Sequence, residues 1–297
     1  MLTFQTLYTE TQQQVQDSDA TSLVLIKRAI NVGAKKFGAI LNREWRVTYK
    51  TFSVTADQQF YQTPEDCIRI KSVTVTIGNI AYPLTEIEDE ETWRLLNTRT
   101  QTSSIPEFFF VRGNDEFGIY PTPSATVASA GELAYERRMR DMSQDDYTAG
   151  TIAVTNNNAA VVGTGTTFTA LMVNRWLKIN DASGDGMWYK VSTFTDTTHI
   201  TLENTFAGST ASGLSYAIGE IPDIPEEFHE NLIDYACYRY YLRRKDVTLA
   251  GDFKALYTEG LTDCKAMYGS KTTSNYYKKP RIRQGFRYWN RDLKVTP

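Results

Sequence analysis

The chain has 297 residues, enough for one large domain or two modest ones with ample core. The formal net charge of −3 excludes a general nucleic-acid binder by bulk charge. No run approaches the roughly 18 apolar residues of a membrane-spanning helix. Cys67, Cys237 and Cys264 lie far apart without a CxxC, which argues for a reducing compartment. The opening MLTFQTLYTETQQQ has neither a basic n-region nor an apolar h-region, so no signal peptide is expected.

Charge is unevenly distributed. Residues 271–297 carry eight basic side chains and one acid, a local +7, which leaves −10 for residues 1–270. The pattern is that of an acidic body with a basic arm.

In chain order, Asp17–Ala20 is a polar lead-in, with Asp19 or Ser22 as N-cap. Leu23, Ile26, Ile30, Ala34, Phe37, Leu41 and Trp45 then recur at spacings of three and four. They predict an amphipathic helix over about 20–45. Gly33 and Gly38 weaken it by ~1 kcal/mol each relative to Ala, and admit a closely packed helix. From Arg46 the period becomes strand-like. Val47–Val54, Ile68–Ile77 and Ile80–Leu84 read as strands, with a turn at Gly78-Asn79. Asp89–Asn97 predicts a short helix with Trp93 and Leu96 inward. Glu107–Arg112 and Glu116–Tyr120 form a hairpin, and Gly131–Arg138 is a further strand. These strands are expected to build a small antiparallel sheet.

From Thr148 to Ile218 the chain turns rich in Thr, Ser, Asn and Gly. Short strands alternate with turns, as in a small β-barrel or sandwich. The flanks SQDDYTAG and GEIPDIP read as linkers, so the segment is expected to be an inserted domain. After it, Pro225–Lys245 and Val247–Tyr268 predict an antiparallel helical hairpin. The first helix has an unusually wide apolar face, wide enough to meet both its own core and a neighbouring copy. Inward positions of the second are Ala250, Phe253, Tyr257, Leu261, Cys264 and Met267.

Catalytic signals are thin. The two histidines, His199 and His229, stand in no Ser-His-Asp or Cys-His grouping, so structural or surface roles are expected. Asp181–Gly186 matches the first half of a calcium loop, but Ser192 stands where a bidentate Glu is required. A plain turn is the expectation there. Gly163-Thr-Gly165 lacks a third glycine, a following helix and a lysine, which excludes a phosphate loop. Glu86, Glu88, Asp89, Glu90 and Glu91 read as a solvated helix start. No enzyme activity, cofactor or metal is expected. Trp176, Trp188 and Tyr189 could form a sugar-stacking platform, although barrel core is their more usual place.

The arm interleaves Tyr276, Tyr277, Phe286, Tyr288 and Trp289 with Lys278, Lys279, Arg281, Arg283, Arg287 and Arg291. Aromatic and arginine side chains anchor protein interfaces. The same mixture can stack on and neutralise nucleic acid, and a solvated tail is the third reading. Docking on a protein partner is the reading adopted.

Several blocks resemble the phage head–tail connector, or portal adaptor, family. They are LVLIKRAINVGAKKF, FYQTPEDCIRIKSVTV, GNIAYPLTEIEDEETWRLL, IPEFFFV, GIYPTPS, AYERRM and IPEEFHENLIDYACYRYYLRR, within residues 20–142 and 220–268. GTGTTFTALMVNRWLKI and WYKVSTFTDTTHITL resemble small β-domains that recur in such adaptors. The resemblance implies a ring of twelve copies in the virion, assembled in the host cytoplasm. It implies a portal on one side, and tail tube, nozzle or fibre proteins on the other. DNA would pass through the channel without sequence-specific binding, and the C-terminal segment would extend towards the portal.

The expectation is therefore an α+β chain with one N-terminal and two C-terminal helices and a small antiparallel sheet. The body is 1–147 and 220–270, the inserted all-β barrel or sandwich 148–219, and the arm 271–297. Its function is that of a structural head-to-tail adaptor. A fibre-attachment or carbohydrate-binding tail module is the alternative.

Overall fold

The structure is a computed structural model that describes residues 1–41, 43–98, 101–103, 105–113, 115–182 and 184–269, with the side chains of all but Arg43 and Glu44. The fold is α+β. It opens with a helix absent from the sequence expectation, α1 (Phe4–Val15). Thr3 caps it, its Oγ1 accepting the Thr6 N–H at 3.2 Å. Phe4, Leu7, Tyr8, Thr11 and Val15 form its buried face. α2 (Ala20–Ile40) is capped by Asp19, which accepts the N–H groups of Thr21 and Ser22 at 3.0 and 3.2 Å.

α2 ends five residues before the expected limit. Leu41 turns extended and bridges to Gly269, and a 3-10 turn follows at Arg43–Arg46. Trp45 therefore leaves the buried stripe; it is 48% exposed and packs edge-on against Tyr268. The glycines of α2 do admit close neighbours. A Cβ on Gly33 would meet the Tyr235 ring at 3.1 Å, and one on Gly38 would overlap Met139.

The strand region divides into two main sheets. Its elements are β1 (Val47–Val54), β2 (Phe60–Gln62), β3 (Cys67–Ile77), β4 (Ile80–Pro83), β5 (Thr85–Glu86), α3 (Glu90–Asn97), β6 (Thr102–Ser103), β7 (Phe108–Arg112), β8 (Glu116–Tyr120), β9 (Thr122–Pro123) and β10 (Val127–Arg137). One sheet has the order β1-β10-β3-β4 and is antiparallel throughout. The other has the order β2-β8-β7-β5, with β5 parallel to β7; β6 and β9 form a further short parallel pair. A shared core lies between the two sheets, with Val73, Val75, Phe109, Phe117 and Ile119 almost wholly buried. Trp93 fixes α3 to the second sheet, stacking on Phe110 with ring centroids 5.1 Å apart.

The next segment is all β: β11 (Thr151–Val154), β12 (Ala160–Thr164), β13 (Trp176–Ile179), β14 (Trp188–Asp196), β15 (His199–Leu202), β16 (Ala211–Leu214) and β17 (Tyr216–Gly219). They form one seven-stranded sheet of order β16-β11-β12-β15-β14-β13-β17. Its two edge strands are consecutive in the chain, with only Ser215 between them. The sheet must therefore curl to bring its two edges together at that residue. Ile152, Val161, Phe168, Leu177, Val191 and Ile218 fill a core of its own.

The chain closes with α4 (His229–Arg243), after a 3-10 turn at Glu226–Phe228, and α5 (Val247–Tyr268). Most of the wide apolar face of α4 is covered within the chain, where α1, α2 and α5 pack on it, while Leu242 at its end stays 44% exposed. On α5, Met267 is 60% exposed rather than inward. Gly260 takes an inward place instead, so close to Asn231 that a Cβ would sit 2.4 Å from it.

Candidate assembly interface

The four long helices form a wall with distinct outer surfaces. Between the first half of α2 and the second half of α4 runs a groove of about 750 Å³. Its floor is apolar, with Leu25, Ala29, Val32, Ala236 and Leu242, and its rim carries Arg28, Arg239, Arg243 and Arg244. Arg244 is committed within the chain: it pairs with Asp17 at 2.9 Å and lies over the Tyr240 ring at 4.7 Å. Arg28, Arg239 and Arg243 have no ion-pair partner among the described residues. Periodicity marked the buried side of α2 but not this outer side, since pairing α2 with α4 brings together residues about 210 positions apart.

The eleven arm residues, Tyr276, Tyr277, Lys278, Lys279, Arg281, Arg283, Phe286, Arg287, Tyr288, Trp289 and Arg291, lie outside the described residues. The root of that segment is well defined. Tyr268 packs edge-on against both Trp45 and Phe228, with centroids 5.6 and 6.1 Å away, and Gly269 bridges to Leu41.

The other singled-out residues have local structural partners. His229 is buried; its Nδ1 accepts the Leu2 N–H at 3.1 Å, so Nε2 carries the proton and donates to the Ile224 carbonyl at 3.2 Å. Burial lowers its pKa and keeps the ring neutral. His199 sits exposed at the β14–β15 turn, 2.9 Å from Asp196. Asp181 accepts the Ser215 N–H and Oγ–H at 2.6 and 3.0 Å. Asp185 accepts the Met187 N–H at 3.0 Å and the Tyr189 hydroxyl. Both carboxylates thus brace the barrel. Among the described residues no three His, Cys, Asp or Glu side chains converge on a metal position. Gly165 has φ +69°, a turn conformation that favours glycine. Asp89 caps α3, accepting the Thr92 N–H at 3.0 Å, and Glu90 pairs with Arg94 at 2.8 Å.

The three aromatics of the β-segment do not form one platform. Tyr189 faces the core against Phe206, while Trp176 and Trp188 alternate onto the other face. There the register sets Lys190 opposite Trp176 and Lys178 opposite Trp188. Lys178 lies over the Trp188 ring, 5.5 Å from its centroid.

Sequence reasoning missed the junction between body and β-segment. The two flanks expected to be linkers are pinned by a polar network. Glu220 accepts the N–H groups of Ser143 and Gln144 at 2.5 and 2.9 Å and faces Arg175 at 4.0 Å. Asp145 accepts from Tyr8 and Lys27, each at 2.8 Å. Asp146 accepts the Thr3 hydroxyl at 2.7 Å, and its N–H donates to Gln5 at 2.8 Å. Burial raises the pKa of Asp146 and lowers that of Arg175. The acids of SQDDYTAG and the lone Glu of GEIPDIP were visible in the sequence; the α1 region that meets Asp145 and Asp146, and the Arg175 that faces Glu220, were not.

A family model described as SU10 adaptor protein matches residues 2–161. This chain belongs to the SU10 adaptor protein family. The match starts at α1 and runs through the first sheets into β12. No curated protein matches the chain. Membership makes the chain a phage adaptor protein, a structural component of the virion that associates with other head or tail proteins. Among the described residues no helix is long and apolar enough to cross a membrane.

Proposed function

We propose that copies of this adaptor close into a ring of twelve between the portal and the tail, through which DNA passes. Residues 1–147 and 220–270 form the body of each copy. Residues 148–219 are an inserted β-domain directed outward, where it meets capsid, fibres or another tail protein, and tail tube, nozzle or fibre proteins join the ring on its tail side. Residues 271–297 are an arm that docks on the portal or on a neighbouring copy.

The observation that carries this reading is the fixed root of the arm. The +7 segment begins directly after a helix end anchored by Tyr268, Trp45, Phe228 and the Leu41–Gly269 bridge. A charged, aromatic segment held at a defined exit can reach a partner while the −10 body keeps DNA from adhering to the channel. The arm's ordering on its partner costs entropy, which makes docking and assembly interdependent.

Size-exclusion chromatography with light scattering, on the protein alone and mixed with portal, tests the reading. The expected result is a stoichiometric ring on the portal, with the 1–270 truncation folded but unable to join. Portal binding retained by that truncation would remove the arm's role. Failure of the intact chain to associate with portal would remove the ring's position. Cross-links from residues 148–219 confined to the channel lining would contradict the outward placement.

A further inference from the structure

We propose that the arginine-rimmed groove between α2 and α4 is the seat for the acidic start of α3 from a second copy of the chain. The inference deepens the ring reading, and rests on it, by naming a contact through which copies would join.

The groove has the character of an unfilled interface. Leu25, Val32 and Leu242 are exposed in it, and Val24, 67% exposed, adjoins it in a smaller hollow shared with Arg243. Four apolar side chains in one connected patch is more than scattered surface exposure. Arg239 and Arg243 stand one turn apart on α4 without carboxylate partners among the described residues. Like charges at that spacing repel, and a partner's carboxylates would relieve both. The occupant must therefore bring acids and an apolar anchor together.

The chain itself supplies such a segment. Between Glu86 and Glu91, five of six residues are acidic. Glu88 and Glu91 are exposed, with no ion pair among the described residues. Leu95, one turn beyond Glu91 on the same helical face, is 70% exposed. The opposite face of α3 is locked down by Trp93 on Phe110, so the acids and Leu95 are presented on a rigid element. Since Leu95 and the groove floor are both exposed, α3 does not fill the groove of its own chain. The contact joins unlike surfaces of two copies, the kind that closes into a ring when the rotation allows.

Charge disfavours the other occupants. The chain's own +7 arm would be repelled by the arginine rim. Nucleic-acid phosphates would satisfy the arginines and leave the apolar floor without a partner.

The test uses the full chain in a Cys67→Ser background, with Val32→Cys in one tagged copy and Leu95→Cys in another. The mixture is oxidised at increasing protein concentration. A disulfide between the two tags is expected. Its yield should fall roughly tenfold, a change of about 1.4 kcal/mol in binding, when the Val32→Cys copy also carries R239E and R243E. An equal fall is expected when the Leu95→Cys copy carries E88R and E91R, and recovery when both reversals are present together. Apart from the half-buried Cys67 of the shared background, these positions are exposed, and circular dichroism confirms folding of each variant. A yield that ignores the reversals overturns the proposal. So does the absence of any inter-tag link, or a link from Val32→Cys to the arm instead. The portal-mixing experiment judges the ring separately, so a ring that forms without this link sinks the contact alone.

Discussion

Replacing Glu220 with Ala removes a carboxylate that holds three groups at once. Its oxygens accept two backbone N–H groups and face the Arg175 guanidinium, and the two charged side chains are only 8% and 4% exposed. Breaking a buried ion pair by deleting one partner costs about 3–5 kcal/mol, because a charge is left without compensation. Each hydrogen bond to a charged group contributes about 1.5–3 kcal/mol. These losses overlap, since one side chain supplies all of them, so the sum would overcount. A net loss of about 4 kcal/mol is expected, or a fall of roughly 10 °C in Tm for a chain of this size. Glu220→Gln retains an acceptor for the N–H groups and should lose less. Urea denaturation followed by far-UV circular dichroism gives the energy, and hydrogen exchange at Ser143 and Gln144 gives the location. Stability within 1 kcal/mol of the parent, with exchange at those two amides unchanged, would refute the junction's role.

Three further outcomes are expected. Phe37→Ala empties a fully buried site stacked on Phe228 and edge-on to Tyr257, with centroids 5.7 and 5.4 Å away. It should lower stability by about 3–5 kcal/mol in a denaturant titration, and a loss under 1 kcal/mol would mean that the core collapses around it. His229 has a depressed pKa in the fold, so the unfolded chain binds the extra proton first. Its contribution is full above the ordinary value of about 6.5 and declines as pH falls from there towards the folded value. Urea midpoints at pH 7.5 and 5.5 should differ in the parent and converge in His229→Gln. Asp17 is held down to about 2, first by the Tyr240 hydroxyl at 2.6 Å, then by the Asp19 N–H, Ser22 and Arg244. Its contribution is present above the ordinary carboxylate range and lost as pH falls through about 2. In Tyr240→Phe the carboxyl midpoint, read by NMR titration, should rise; an unmoved midpoint would contradict the assignment.

Much of the fold was legible where one face of an element is apolar. Ile26, Ile30, Ala34 and Phe37 marked α2, and Ala250, Tyr257 and Cys264 marked α5, because helical period alone selects those positions. Gly78-Asn79 marked the β3–β4 hairpin, both residues taking φ above +50° there. α1 carried the same signal in Phe4, Leu7, Tyr8, Thr11 and Val15, but it was diluted by a run of glutamines. Once α1 is overlooked, part of the wide face of α4 lacks its partner within the chain. The candidate arm was legible only as composition.

The sequence by itself determined the helical and strand character of most segments, the all-β nature of residues 151–219, and the acidic body with its basic end. Those properties follow from neighbours a few residues apart, where period and charge act directly. Tertiary structure alone decided that Glu220 and Arg175 meet at the junction, that the seven strands of the β-segment form one curled sheet, and that arginines of α2 and α4 share one groove. Each of these brings together residues between tens and about two hundred positions apart, as do the contacts of Tyr240 with Asp17 and Leu2 with His229. A local pattern says that a face must be covered; only the folded chain says by what.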